Sequence, residues 1–190
     1  MSKPVSRRAV AAGLGASALW PAAAMAQQGD TYSEPEIVQA AENFFGAGAE
    51  GVAAVVRHVF EEQGRPNGYI EGEEASGAIG IGLRYGDGRL RLKGHQGTTR
   101  TFWQGPSLGF DTGGNASKVF TLVYNMRDPS QIFQRFPGVD GSAYFVGGVG
   151  VNYQQRGNIV LAPMRAGVGF RLGANIGYLA YSRRRRINPF

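Results

Sequence analysis

The sequence predicts a mainly β protein of the α+β class, in which a curled sheet or small closed barrel follows a helical segment. Three observations carry this expectation. From Gly68 to Tyr181 apolar side chains recur mostly with period two, whereas residues 34–63 space them at three and four. Glycine accounts for 30 of 190 residues, about twice its ordinary share, without a collagen period. Glycines also recur on one face of the expected strands, as Gly167, Gly169 and Gly173 do against Val168, Phe170 and Leu172. Glycine inside a strand marks a tight bend or close backbone approach, and repetition over many strands curls a sheet toward closure.

The first 26 residues read as an export signal that leaves before folding. Lys3, Arg7 and Arg8 supply the positive start, residues 9–26 are uncharged and alanine-rich, and Ala24-Met25-Ala26 is an A-x-A cleavage site. Pro21 and the alanine-level hydrophobicity make this run a poor permanent membrane span. Arg7-Arg8 ahead of a weakly hydrophobic run points to the twin-arginine route; an ordinary Sec signal that happens to contain the pair is the alternative. The expected product is a soluble periplasmic chain that begins at Gln27.

Removing Lys3, Arg7 and Arg8 lowers the formal net charge from +6 to +3. Residues 27–74 hold ten acidic and two basic residues, residues 75–182 four acidic and eleven basic, and Arg183 to Arg186 form a basic tail. Half of the basic excess thus belongs to the signal, and export separates the chain from nucleic acid. The opposed halves suit an acidic helical segment lying beside a mildly basic β domain.

Gln27 to Tyr32 form a polar leader. Ser33-Glu34-Pro35-Glu36 starts a helix, with Ser33 as N-cap and Glu36 completing a capping box. Ile37, Ala41, Phe44 and Phe45 make one apolar face. Beyond Gly46-Ala47-Gly48 the helical pattern resumes through Val52, Val55, Val56, Val59 and Phe60, until Gly64 and Pro66 end it.

Strands follow. Ile79, Ile81, Leu83 and Tyr85 alternate with small or charged residues. Gly86-Asp87-Gly88 is expected to turn the chain into Arg89-Leu90-Arg91-Leu92. Phe120, Leu122 and Tyr124 alternate in another strand. Asp128 to Gln131 opens a short helix carrying Ile132, Phe133 and Phe136, and strands are expected over residues 142–153, 158–164, 166–173 and 175–181. The chain therefore divides into a signal over residues 1–26, a leader with helical segment over 27–67, a β domain over 68–182 and a basic tail over 183–190.

The absence of cysteine from the sequence excludes disulfides, thiolate catalysis and cysteine-ligated metals. Gly105-Pro106-Ser107-Leu108-Gly109 matches the G-x-S-x-G elbow of serine hydrolases. That chemistry places its histidine after the serine, and both His58 and His95 precede Ser107. Asp111-Thr112-Gly113 matches the aspartic-protease tripeptide, but one copy would require a dimer to pair two carboxyls, and an Asp-Gly loop is the plain reading. Gly46-x-Gly48-x-x-Gly51 follows a helix instead of a strand, so it reads as a helix break. Glu71, Glu73 and Glu74 are the densest carboxylates, read as a solvated turn with a divalent-cation site as the alternative. No catalytic residue, metal ligand or cofactor follows from these motifs.

Large aromatics and glycines share the same strands, so close packing must be uneven and a hydrophobic pocket is expected. Its candidate lining is Trp103, Phe110, Tyr124, Phe145, Phe170 and Tyr178. Arg165, Arg171, Arg183, Arg184, Arg185 and Arg186 are the candidates for holding an anionic head group or a membrane surface. A filled core with a solubilising tail is the alternative.

Several blocks in order carry a family resemblance: Tyr69-Ile70-Glu71-Gly72-Glu73-Glu74-Ala75-Ser76-Gly77-Ala78, Gly82-Leu83-Arg84-Tyr85-Gly86, Trp103-Gln104-Gly105-Pro106-Ser107 and Leu122-Val123-Tyr124-Asn125. Together they resemble the EipA family of periplasmic envelope-integrity proteins, from about Glu36 to Tyr181. The resemblance implies a small soluble β-barrel of mixed strand directions behind an N-terminal helix, a role in envelope stress resistance, and no catalytic residues to carry over. The stretch from Phe136-Pro137-Gly138-Val139 to Gly167-Val168-Gly169-Phe170 bears a weaker resemblance to SYLF-type lipid-binding domains, which implies lipid as an occupant.

The leading expectation is a non-enzymatic periplasmic barrel that supports the envelope, with a lipid or other hydrophobic ligand, peripheral membrane contact and envelope proteins as partners. A hydrolase using Ser107 or Asp111 and a protein-binding module are the two rivals.

Overall fold

The computed structural model describes residues 29–46, 50–77, 81–108, 115–166 and 177–186. The export signal, the expected 166–173 strand beyond Ala166, Phe110, Asp111, Phe170, Arg171 and the side chain of Ser107 lie outside the described residues.

Two helices come first, α1 (Glu34–Phe45) and α2 (Val52–Gln63). The backbone N–H of Ser33 donates to Glu36 Oε2 at 2.7 Å, which holds one orphan donor of the first turn. Gly46 ends α1 at φ +84°, and Lys118 donates to the exposed carbonyl of Phe44 at 2.8 Å, a cation against the negative helix end. Gly51 begins α2 because no side chain fits there: an added Cβ would lie 2.0 Å from the carbonyl oxygen of Val146.

Ten strands follow among the described residues: β1 (Gly68–Gly77), β2 (Ile81–Leu92), β3 (Thr99–Leu108), β4 (Asn115–Tyr124), β5 (Arg135–Pro137), β6 (Tyr144–Val146), β7 (Val149–Val151), β8 (Gln154–Arg156), β9 (Ile159–Ala166) and β10 (Tyr178–Ser182). They form one sheet ordered β5-β10-β3-β2-β1-β4-β9-β7-β6, with β8 also paired to β9. An antiparallel bridge between Gly138 and Gln154 joins the end of β5 to β8 and completes a ring of eight strands. β7 takes the remaining edge of β9 and carries β6 outward.

Alternation along each strand fills two cores. Ile70, Leu90, Leu92, Trp103, Val119, Val123, Ile159, Leu161, Leu179 and Tyr181 face inward and meet Met126, Ile132 and Phe136. Phe120, Leu122, Tyr124, Val160, Ala162 and Met164 face outward and are covered by Ile37, Ala41, Val52, Val55, Val56 and Val59 of the helices. The helical stripe thus buries the outer face of β4 and β9, as its amphipathic spacing requires. Among the described residues no helix is long and apolar enough to cross a membrane.

The structure corrects four expectations. Every strand pairing among the described residues is antiparallel, so the mixed directions implied by the family resemblance do not occur here. Gly86-Asp87-Gly88 makes no turn, because β2 runs unbroken from Ile81 to Leu92. The two glycines instead admit neighbours: a Cβ on Gly86 would lie 2.2 Å from the Trp103 ring, and one on Gly88 would lie 2.4 Å from the Glu71 carbonyl oxygen. The short helix after Asp128 is a single 3-10 turn, Pro129–Ile132, after which Phe136 enters β5 and points into the barrel. The strand expected over residues 142–153 is a hairpin, since Gly147 and Gly148 turn it at φ +55° and +77°.

Candidate binding site

Two sites emerge from the alternation of β1 to β3, one on each face of the sheet. Outward-facing Ala75 of β1, Tyr85 of β2, Phe102 of β3 and Ala116 of β4 line a groove of about 460 Å³. Glu73, Asp87 and Gln104 stand along it, and Ser182, Arg185 and Arg186 close one side. Asp87 draws Arg100 to 3.3 Å and Arg185 to 3.5 Å, so one carboxylate ties the C-terminal segment to the strands. The Arg100 guanidinium lies 5.0 Å from the centre of the Phe102 ring. The groove therefore combines an aromatic floor with exposed guanidinium groups, which suits an amphipathic anion.

The inward face of the same strands holds a charged cluster. Glu74 is 4% exposed and accepts Nε and Nη2 of Arg165 at 3.1 and 3.2 Å. The Trp103 indole donates to Glu74 Oε2 at 2.9 Å, and Nη1 of Arg165 donates to Asn152 Oδ1 at 3.0 Å. Nε of Arg84 lies 3.2 Å from Glu74 Oε1. Burial pushes the Glu74 carboxyl up, but Arg165 and Arg84 together outweigh it and hold the group below the usual carboxylate range. Burial and the neighbouring Arg165 both pull Arg84 down, against the pull of Glu74.

Of the six aromatics expected to share one pocket, the four described, Trp103, Tyr124, Phe145 and Tyr178, do not meet. Trp103 is inside the barrel, while Tyr124 is on the opposite face of the sheet beneath the helices. The hydroxyl of Tyr124 is buried without a hydrogen-bond partner among the described residues, and burial raises its pKa. Phe145 is 41% exposed on β6, and Tyr178 is half-buried under the Arg135 guanidinium, 4.7 Å from its ring.

The basic candidates separate in the same way. Arg165 is interior, Arg183 stacks on Phe133 at 4.5 Å, Arg184 is exposed, and Arg185 and Arg186 border the groove. Glu71, Glu73 and Glu74 belong to β1 and not to a solvated turn. Sequence reasoning missed Glu74 and Arg84 as inward residues, and Tyr85 and Phe102 as groove residues. The signal for Glu74 was present, because it continues the period-two register of Ile70 and Gly72, which a closed barrel directs inward.

The histidines stand apart from the elbow motif. His95 precedes β3 while Ser107 is at its far end, about 26 Å along a strand that rises about 3.3 Å per residue. His58 stacks on Tyr144 with ring centres 3.8 Å apart.

Comparison with known proteins agrees with this architecture. No curated protein matches the chain. The chain is 51% identical to a beta-barrel-like, uncharacterized protein from Brucella abortus known from its crystal structure, with a TM-score of 0.76 over 85% of this chain and 99% of that one. Residues 30–190 match the family described as envelope integrity protein A. A family match over most of the chain, joined to half-identical sequence on a matching barrel, places this protein in the envelope integrity protein A family, with an envelope-related role.

Proposed function

We propose that this protein supports the cell envelope as a non-catalytic periplasmic binding protein whose ligand is an anionic lipid or similar amphiphile. The observation that carries this reading is the outer groove, where Tyr85 and Phe102 form an apolar floor beside Arg185 and Arg186. Its volume of about 460 Å³ suits part of a lipid. Each basic residue held near an anionic surface adds about 1 kcal/mol. Export through the twin-arginine signal and cleavage after Ala26 deliver the chain to the periplasm. Against the serine-hydrolase reading stands the separation of His95, ahead of β3, from Ser107 at its far end.

The test is displacement of a fluorescent fatty acid from delipidated protein, together with flotation on vesicles with and without phosphatidylglycerol. Binding should require the anionic vesicle and fall several-fold in an Arg185→Ala/Arg186→Ala variant and in Phe102→Ser. If delipidated wild-type protein neither binds the fatty acid nor floats at low salt, the lipid reading fails and a protein partner becomes the better account.

A further inference from the structure

We infer that the barrel interior contains a second site, behind the groove and sharing Glu74 and Trp103 with its lining, in which Arg84 receives a small anionic group of the carboxylate or phosphate class. Charge on the inward face is unbalanced. Two guanidinium groups share one carboxylate, so the cluster formed by Glu74, Arg84 and Arg165 carries one surplus positive charge among the described residues. A buried charge is costly unless paired and hydrogen-bonded, and an unneutralised one selects for an incoming counter-charge.

The hydrogen bonds show which arginine is left over. Each nitrogen of Arg165 holds a partner, with Nε and Nη2 forked onto Glu74 and Nη1 on Asn152. Glu74 is engaged in turn, by that fork and by the Trp103 indole. Arg84 lies within ion-pair distance of Glu74, but its Nε is buried and makes no hydrogen bond among the described residues. A guanidinium offers five N–H donors in a planar fork suited to carboxylate or phosphate oxygens.

Position makes the group reachable. Arg84 pairs in register with Ser76 and Gly105, near the ends of β1 and β3, and its side chain is 23% exposed against 9% for Arg165. The cluster is therefore closed on the Arg165 side and open on the Arg84 side. The adjacent residue, Tyr85, points the other way and lines the outer groove, so the two sites are on opposite faces of one strand.

Trp103 makes the site observable. An anion at Arg84 withdraws that guanidinium from Glu74 and changes the charge beside the indole that donates to the same carboxylate. In a full chain carrying Trp20→Phe, Trp103 is the sole tryptophan. Titrating that protein at pH 7 with sodium phosphate, and separately with sodium acetate, at constant ionic strength set by sodium perchlorate, should give a saturable change in emission and a rise in melting temperature. The stronger of the two responses identifies the preferred anion. Arg84→Met should weaken the response at least tenfold while keeping the β circular-dichroism signal. A second variant, Glu74→Gln, raises the surplus charge and should strengthen the melting-temperature response. No saturable response to either anion in the wild-type background, or an unaltered response in folded Arg84→Met, would overturn the proposal and leave the cluster as an internal ionic brace.

Discussion

Arg165 grips Glu74 with two parallel bonds, Nε to Oε1 at 3.1 Å and Nη2 to Oε2 at 3.2 Å, and so ties β9 to β1 across the barrel interior. These strands are not neighbours, since β4 runs between them. The bond therefore supplements the backbone ladder and joins residues 91 positions apart in sequence. Replacing Glu74 by Gln leaves two inward guanidinium groups without a counter-charge. The expected loss is about 3–5 kcal/mol, read from urea unfolding. Replacing Glu74, Arg84 and Arg165 together by apolar residues of similar volume should cost far less, because no buried charge remains.

Acid sensitivity follows from the same carboxylate. Its folded pKa is lowered, so its contribution is complete above the unfolded-chain value of about 4.3 and is lost as pH falls through the lower folded value. The stability gap between wild type and Glu74→Gln should stay level from pH 7 to about 5 and shrink below that. Glu36, held at about 2 by its bonds from Lys93 and Ser33, has the same sign. Its exposure keeps that contribution small. A gap that widens on acidification would contradict this account.

Gly86 and Trp103 should behave as one unit. A methyl group at Gly86 collides with the indole at 2.2 to 2.5 Å, on ring atoms that cannot yield without leaving Glu74. Gly86→Ala should therefore cost several kcal/mol, among the large effects expected of overpacking. Trp103→Leu removes the obstructing ring, so the double variant should be more stable than the sum of the two single losses predicts. A double-mutant cycle with no coupling would show that β2 moves aside instead.

Helix docking is a stability term for the barrel. Ile37 is fully buried between α1 and the sheet, and Ile37→Ala should cost about 2–5 kcal/mol by thermal or urea unfolding. Deleting residues 34–63 uncovers Phe120, Leu122 and Met164 together, and aggregation is the expected result. A monomeric deletion variant with an unchanged β signal would show that the helices are an independent arm.

Export supplies a prediction that is independent of the fold. Changing Arg7 and Arg8 together to Lys should stop export by the twin-arginine route, and N-terminal sequencing of the wild-type periplasmic form should begin at Gln27. An intact Met1 on a membrane-held protein would defeat the signal assignment.

Local signals determined much of this protein. Ser33 and Glu36 set the start of α1, glycine and valine spacing set α2, and the alternation of Phe120, Leu122 and Tyr124 determined a strand. Each of these depends on residues within one or two turns of chain, which is why the sequence alone reveals them. Tertiary structure decided the rest. Gly-Asp-Gly reads locally as a turn, yet β2 continues through it, paired to β1 on one edge and β3 on the other, and Gly86 leaves room for the Trp103 ring. Trp103 and Tyr124 both read as strand aromatics, but inward or outward direction depends on register, and a shift of one residue exchanges the faces. Ring closure through Gly138 and Gln154, and the meeting of Glu74, Arg84 and Arg165, join segments far apart in sequence. Such contacts are fixed by how the sheet curls, which no local period of apolar residues specifies.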